Sequence, residues 1–315
     1  MGKYDDNPII EGRYDAYGRQ TYWAMGYKGQ GVKVAVIDDY GTMHGAMASV
    51  GAYVAPEAEV IKLDMNGTGQ GIRDCFYEAI RLKANIISLS RYVEGNTKDL
   101  HDAVIACRNA GIVMFCSAGN QGEKNPYSNE IIQYPAAYPE TISVMAIENN
   151  FIVQKSSSRS STGWCTGFGQ NVLVKSENGE EMLVSGTSPT TPACAFTLAL
   201  HWSKVLKETG KHPSAADMEQ FVISHCVDWS IAGKDNFTGY GFFTLDKTEF
   251  DRIKLMILDS DKNGLSQRVD EIKSMVKSGV PLEQAEAHVN RLYYVVGYET
   301  INGVQVPVYG GKKPW

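Results

Sequence analysis

Hydrophobic positions along the chain fall into two kinds of run. VKVAVI (32–37), EVIKLDM (59–65), ANIISLS (84–90), GIVMFCSAG (111–119) and TISVMAI (141–147) are short, rich in β-branched residues and near-continuously apolar. Such runs predict strands buried on both faces rather than strands with one wet face. Between them, GIRDCFYEAIRLK (71–83) and TKDLHDAVIACRNAG (97–111) repeat their apolar residues every three or four positions, the spacing of amphipathic helices. Strands alternating with helices predict an α/β fold, a parallel sheet with helices on both faces. Two further helices are expected from about Pro189 to Lys207 and from Ser214 to Ser224, and FTGYGFFTLDKT (237–248) closes the region.

From about Glu249 the pattern changes to EFDRIKLMIL, the polar loop DSDKNG, two more helical runs and the glycine-rich end YGGKKPW. The expected division is an N-terminal extension (1–19), a main α/β domain (20–248) and a small C-terminal helical appendage (249–315). No internal repeat or low-complexity tract interrupts this order.

Composition narrows the function classes. With 43% hydrophobic and 21% charged residues and a net charge of −6, the chain is an ordinary folded protein without the basic footprint of a nucleic-acid binder. No apolar run approaches the roughly 18 to 20 residues that cross a bilayer. The start, MGKYDDNPIIEGRYDAYG, lacks the apolar core of a secretion signal, and Asp6 breaks the myristoylation pattern that Met-Gly opens. A cytoplasmic protein is therefore expected. The six cysteines form no CxxC pair; they read as small buried thiols in a reducing compartment.

Two stretches carry candidate chemistry. In SGTSPTTPACAF (185–196) a small-residue turn runs into a helix opened by Pro189, a residue suited to a first helical turn. Ser188 at that junction would expose its hydroxyl and keep its N–H near the positive end of the helix. Thr190 excludes the GxSxG elbow of α/β-hydrolases, and taken alone the motif reads first as a capping serine. The second stretch, VIDDYGTMHG (36–45), brings Asp38, Asp39 and His44 close together behind a strand.

In chain order, VAVIDD, HGAMASVGAYVAPEAEV, VMFCSAGNQG with YPAAYPETISV, and SGTSPTTP resemble the subtilisin-like serine proteases over roughly Gln20 to Lys247. The resemblance implies a serine endopeptidase in which Ser188 attacks, His44 is the base, Asp38 orients His44, and Asn120 with the Ser188 N–H holds the oxyanion. It implies a polypeptide substrate added as a strand along Ser88, Leu89 and Ser90, with Ser117, Ala118 and Gly119 flooring the pocket. Ser90 and Arg91 replace the family's glycine pair, implying a crowded, partly cationic rim. Asp39 is expected to be a solvated neighbour or cap, and Asn120 to have no structural duty of its own. His101, His201, His212, His225 and His288 read as surface or satisfied polar residues. The long family segment between aspartate and histidine is reduced here to a few residues, which puts the family's loop-borne calcium site in doubt but not the triad. Met47 replaces the family's second histidine.

The extension 1–19 is too short for a folding prodomain, so either the enzyme matures without one or a preceding segment was removed. Within it, NPIIEGRY reads as a disordered tail or as an occupant of the cleft. No cofactor is required for the chemistry. DSDKNGLSQRVD (259–270) matches an EF-hand loop, with Asp259, Asp261, Asn263, the Leu265 carbonyl and Asp270 as calcium ligands and Gln267 acting directly or through water. The other reading is a polar corner between helices closed by Asn-Gly. The oligomeric state is open. The alternative function is a catalytically silent scaffold that docks through the appendage.

Overall fold

A computed structural model describes residues 13–124, 132–149, 151–229, 232–260, 272–282, 284–285, 293–301 and 304–312. For Met43, His44, residues 255–260 and the last two stretches it describes the backbone alone. Each of the five apolar runs forms a strand: β1 (Lys33–Asp38), β2 (Glu59–Asp64), β3 (Ile86–Leu89), β4 (Val113–Ser117) and β5 (Ile142–Ile147). The predicted helices follow as Gly69–Arg81, Lys98–Asn109, Thr187–Thr209 and Ala215–Ser224. Thr68 and Ser214 start two of them by accepting the N–H of Gly71 and Asp217, the usual work of a capping hydroxyl.

Strands without a clear apolar run complete the sheet: β6 (Gly163–Phe168), β9 (Cys226–Val227) and β10 (Phe242–Phe243), while β7 (Val172–Lys175) and β8 (Glu181–Val184) pair as a separate hairpin. Among the described residues the main sheet has eight strands in the order β2-β1-β3-β4-β5-β6-β10-β9. All neighbours are parallel except β9 and β10.

The near-continuous apolar runs now have a cause. Successive side chains of a strand point to opposite faces, and here both faces are covered. Val34, Val36, Ile86, Val113 and Phe115 join the core that contains Phe196 and Leu200 of the long helix Thr187–Thr209. Their neighbours Ala35, Ile37, Ile87, Leu89 and Met114 join a second core with Phe76 and Val104 of the other two helices. Because β1 has β2 on one side and β3 on the other, the chain leaves the sheet in two directions there. Ligand sites of open α/β sheets lie at the strand carboxyl ends beside such a switch.

Residues outside both expected boundaries pack into the main core. Within the N-terminal extension, Tyr14, Ala16 and Tyr17 are buried; Tyr14 donates to the Leu173 carbonyl at 2.7 Å and Tyr17 accepts the Phe168 N–H at 2.9 Å. Two aromatic rings so close in sequence have more to gain in the core than as a tail. Only Arg13 and Tyr14 of NPIIEGRY are described. At the other end, the helix Lys247–Ser260 places Phe250 in the main core against Phe151 and Phe242.

Beyond it, the helical appendage is only partly helical. β11 (Tyr293–Ile301) and β12 (Val304–Lys312) pair antiparallel. Their signal is in the sequence: alternation in VQVPVY and an Asn302-Gly303 dipeptide between two such runs, a hairpin signature. The calcium-loop residues Asp261, Asn263, Leu265 and Asp270 lie outside the described residues, as do Gln267, His288 and the side chain of Asp259.

Candidate active site

Asp38 ends β1 and is fully buried. Strand parity puts it on the face of Val34 and Val36, the same face as Ala46, Met47 and Ala48 of the 3-10 helix Met43–Ser49. His44 therefore lies in an element packed on the Asp38 side of the sheet; its side chain is not among those described. The Asp39 N–H donates to Asp38 Oδ1 at 3.0 Å. Oδ2 is buried with no partner among the described residues. Burial pushes the Asp38 carboxyl up to about 7, opposed by the Asp39 N–H and the Arg91 guanidinium, which favour its charged form.

Asp39 is not a solvated neighbour. It is 7% exposed, accepts the Gly67 N–H and pairs with Arg91. That pair also corrects the cationic rim: Arg91 lines the cleft, but its charge is neutralised by Asp39.

The short link from Asp38 to His44 is held at several residues. Tyr40 donates to the Val36 carbonyl at 2.9 Å, and Thr42 Oγ1 donates to the Asp39 carbonyl at 2.7 Å. Gly41 turns the chain at φ +83°, a backbone conformation that costs glycine little.

Ser188 stands in the first turn of Thr187–Thr209. Gly186, at φ +125°, lets the chain enter that helix, and a Cβ there would lie 3.0 Å from the Asn120 amide nitrogen. Pro192 explains a second contact. A proline has no N–H for the carbonyl four residues back, so the Ser188 carbonyl has no helical donor. Ser90 Oγ supplies one at 2.8 Å. In return the Ser188 hydroxyl donates to the Ser90 carbonyl at 3.4 Å, long for a bond between two oxygens and easily given up.

Asn120 follows β4 and faces the same helix end. Its Oδ1 accepts the Thr187 N–H at 3.0 Å and the Thr187 hydroxyl at 3.2 Å. Asn120 thus has a structural duty after all: it satisfies one of the N–H groups that a helix start leaves without a partner. The bond to a backbone N–H fixes which amide atom is oxygen, and Nδ2 is left for another acceptor.

Ser90, Ser117, Gly119, Asn120 and Ser188 line one cleft of about 350 Å³. Ser88, Leu89 and Ala118 do not: each is fully buried beneath it, and Ser88 and Leu89 have strand partners on both sides. Sequence reasoning missed Met65, Gly67, Tyr92 and Thr187, which also line the cleft. Thr187 had a signal in its place before the serine of a helix-opening motif; Met65 and Gly67 follow β2 and are reached only through the sheet order.

The remaining histidines among the described residues are satisfied. His101 lies 3.1 Å from Glu140 and stacks on Tyr138, His201 meets the Tyr22 hydroxyl at 3.0 Å, and Trp202 donates to His212 at 3.0 Å. His225 lies 3.0 Å from the Ser224 hydroxyl. All six cysteines are free thiols, and burial pushes Cys75 and Cys107 up to about 12. No group of three or more potential metal ligands occurs among the described residues, and none of their helices is long and apolar enough to cross a membrane.

The fold has a solved counterpart. The crystal structure of a lanthipeptide protease superposes with a TM-score of 0.68 over 79% of this chain and 95% of that one, at 18% sequence identity. An intracellular serine protease of Paenibacillus polymyxa is 34% identical over 55% of this chain, and the major intracellular serine protease of Bacillus subtilis 29% identical over 76%. The minor extracellular protease Epr of Bacillus subtilis is 26% identical over 70%. The chain spans 38% of the length of Epr, 53% of the Paenibacillus protein and 75% of the major intracellular protease. The subtilase family model matches residues 40–241, which takes in His44, Asn120 and Ser188 and begins just after Asp38. Most of the chain lies within that match, and the chain belongs to the subtilase family.

Proposed function

We propose that this chain is a serine endopeptidase that hydrolyses polypeptides through Ser188, His44 and Asp38. The observation that carries the reading is the pairing of Ser188 with Asn120 at one helix start, the amide oxygen tied to Thr187. With the oxygen so used, the amide N–H groups and the Ser188 N–H are the donors left for an oxyanion.

The steps follow from that arrangement. Ser188 Oγ forms the bond to the peptide carbonyl carbon while His44 takes its proton. The carbonyl electron pair moves onto oxygen, where Asn120 Nδ2–H and the Ser188 N–H receive it. The C–N bond breaks as His44 returns the proton to the leaving nitrogen. Water then repeats both steps, freeing the acid and Ser188. Asp38 offers Oδ2, a buried acceptor without a donor among the described residues. An imidazole N–H there would be fixed in one tautomer, and its positive charge would lower the raised carboxyl.

An intracellular setting accords with the names of two of the relatives; cell fractionation tests it. The activity itself is tested on an unfolded protein substrate. Wild-type protein should digest it, and Ser188→Ala, equally folded, should not. Digestion by Ser188→Ala at the wild-type rate, or a folded wild-type inert towards unfolded chains and short peptides alike, overturns the reading in favour of a silent scaffold.

A further inference from the structure

The hairpin β7–β8 reaches across to the shortened link between Asp38 and His44. At its tip, Glu177 Oε2 accepts the Gly41 N–H at 2.6 Å, a short bond of the charge-assisted kind. The other oxygen of Glu177 lies 3.8 Å from Lys62 of β2, but those side chains are 53% and 35% exposed, so that ion pair adds little. At the base of the turn, the Lys175 N–H donates at 2.7 Å to Ser49 Oγ, and the same hydroxyl donates to the Ala46 carbonyl at 2.7 Å. The hairpin therefore holds the chain on both sides of His44: ahead of it at Gly41 and behind it at Ser49, the last residue of the 3-10 helix.

The tip is built to hold that position. Ser176 and Glu180 close it with a bond of 2.8 Å between backbone groups, and Ser176 Oγ accepts the Glu180 N–H at 3.0 Å. The Glu177 side chain is 35% exposed, so no burial requirement fixes it there. Its firm partner is a backbone N–H in the link that must deliver His44.

We propose that Glu177 is a positioning residue for His44, acting through Gly41 and the link that replaces a longer segment. The proposal rests on the reading of Asp38, His44 and Ser188 as a triad. Removing the carboxylate lets the link shift, and a misplacement on the order of 1 Å of a catalytic group costs about 100-fold in rate. Glu177→Ala should therefore lower kcat about ten- to a hundredfold with KM within about twofold, since Glu177 does not line the cleft. Glu177→Gln keeps an oxygen acceptor for the Gly41 N–H and should recover most of the loss.

The experiment measures kcat and KM for wild type, Glu177→Ala and Glu177→Gln, and in parallel the amide hydrogen exchange of the peptide covering residues 40–49. Faster exchange there in Glu177→Ala, a kcat effect and rescue by glutamine support the proposal. Unchanged kcat, an effect confined to KM, or exchange in Glu177→Ala identical to wild type overturns it. A wild type without Ser188-dependent turnover refutes the triad reading instead, while the exchange comparison still decides whether Glu177 holds the link.

Discussion

Replacing each of the two adjacent aspartates by asparagine separates orientation of a base from ordinary structural pairing. Asp38 is fully buried, on the face of β1 that carries the 3-10 helix of His44, with one oxygen lacking a partner among the described residues. Asp38→Asn keeps its size, but can place an NH₂ where a proton acceptor is required. The imidazole would then be held in the wrong tautomer, a loss of about 10⁴-fold in kcat. That corresponds to roughly 5 kcal/mol of transition-state stabilisation. Folding should change little, because a buried carboxyl with its pKa raised to about 7 is already a poor contributor at neutral pH.

Asp39→Asn should show the opposite profile. It removes the charge that Arg91 faces at a site where the Asp39 side chain is 9% exposed and that of Arg91 30%. An ion left partly buried without its partner costs roughly 1 to 3 kcal/mol of stability, seen as a lower urea midpoint. Its effect on kcat should stay within about tenfold. The assay is steady-state kinetics on one peptide substrate, with urea melts of the same samples. Equal kcat losses in the two variants, or a larger one for Asp39→Asn, would show that strand parity does not select the orienting carboxylate.

Three other outcomes follow from the same contacts. Asn120→Asp keeps an acceptor for Thr187 but no amide donor, so kcat should fall about 10²- to 10³-fold at near-wild-type stability; Asn120→Ala should lose that activity and also about 0.5 to 2 kcal/mol of helix capping. Ser90→Ala leaves the Ser188 carbonyl facing Pro192 without a donor and should lower stability by about 1 to 3 kcal/mol in a urea melt; an unchanged midpoint refutes the exchange of bonds between Ser90 and Ser188. Burial, with smaller contributions from His225 and Lys204, holds His201 down at about 4, below the roughly 6.5 of an unfolded chain. The unfolded chain therefore takes up a proton first, and stability should fall as pH drops from about 6.5 to 4; His201→Leu should flatten that slope in urea midpoints across this range, and an unaltered slope assigns it elsewhere.

What could be read from the sequence divides along physical lines. β1, β3, β4 and β5 were legible because burial on two faces forces near-continuous apolar runs, and the helices Gly69–Arg81 and Lys98–Asn109 because burial on one face forces a three- and four-residue repeat; the edge strand β2 keeps only Leu63 buried. β6, with sequence GWCTGF, carries glycine and threonine in place of such a run, and β9 and β10 are too short to show a period. Asp38, His44, Asn120 and Ser188 stand out as candidates through motifs, each at a fixed place in a short local pattern. The contacts that bind them together were not. Asp39 with Arg91, Ser90 with Ser188 and Glu177 with Gly41 join residues distant in sequence at the carboxyl edge of the sheet. Only the folded chain brings them together. The same limit applies to depth: the resemblance implies SLS as a surface for substrate, but its first two residues are interior to the sheet.

The proposed activity stands or falls with Ser188 as the nucleophile of this cleft. Folded wild-type protein should be treated with a fluorophosphonate probe and the intact mass recorded, followed by peptide mapping of the adduct. A single adduct on Ser188 is expected, absent in Ser188→Ala and slowed by several orders of magnitude in His44→Ala. No adduct on folded wild type, or one carried by another serine while Ser188 stays unmodified, would contradict it.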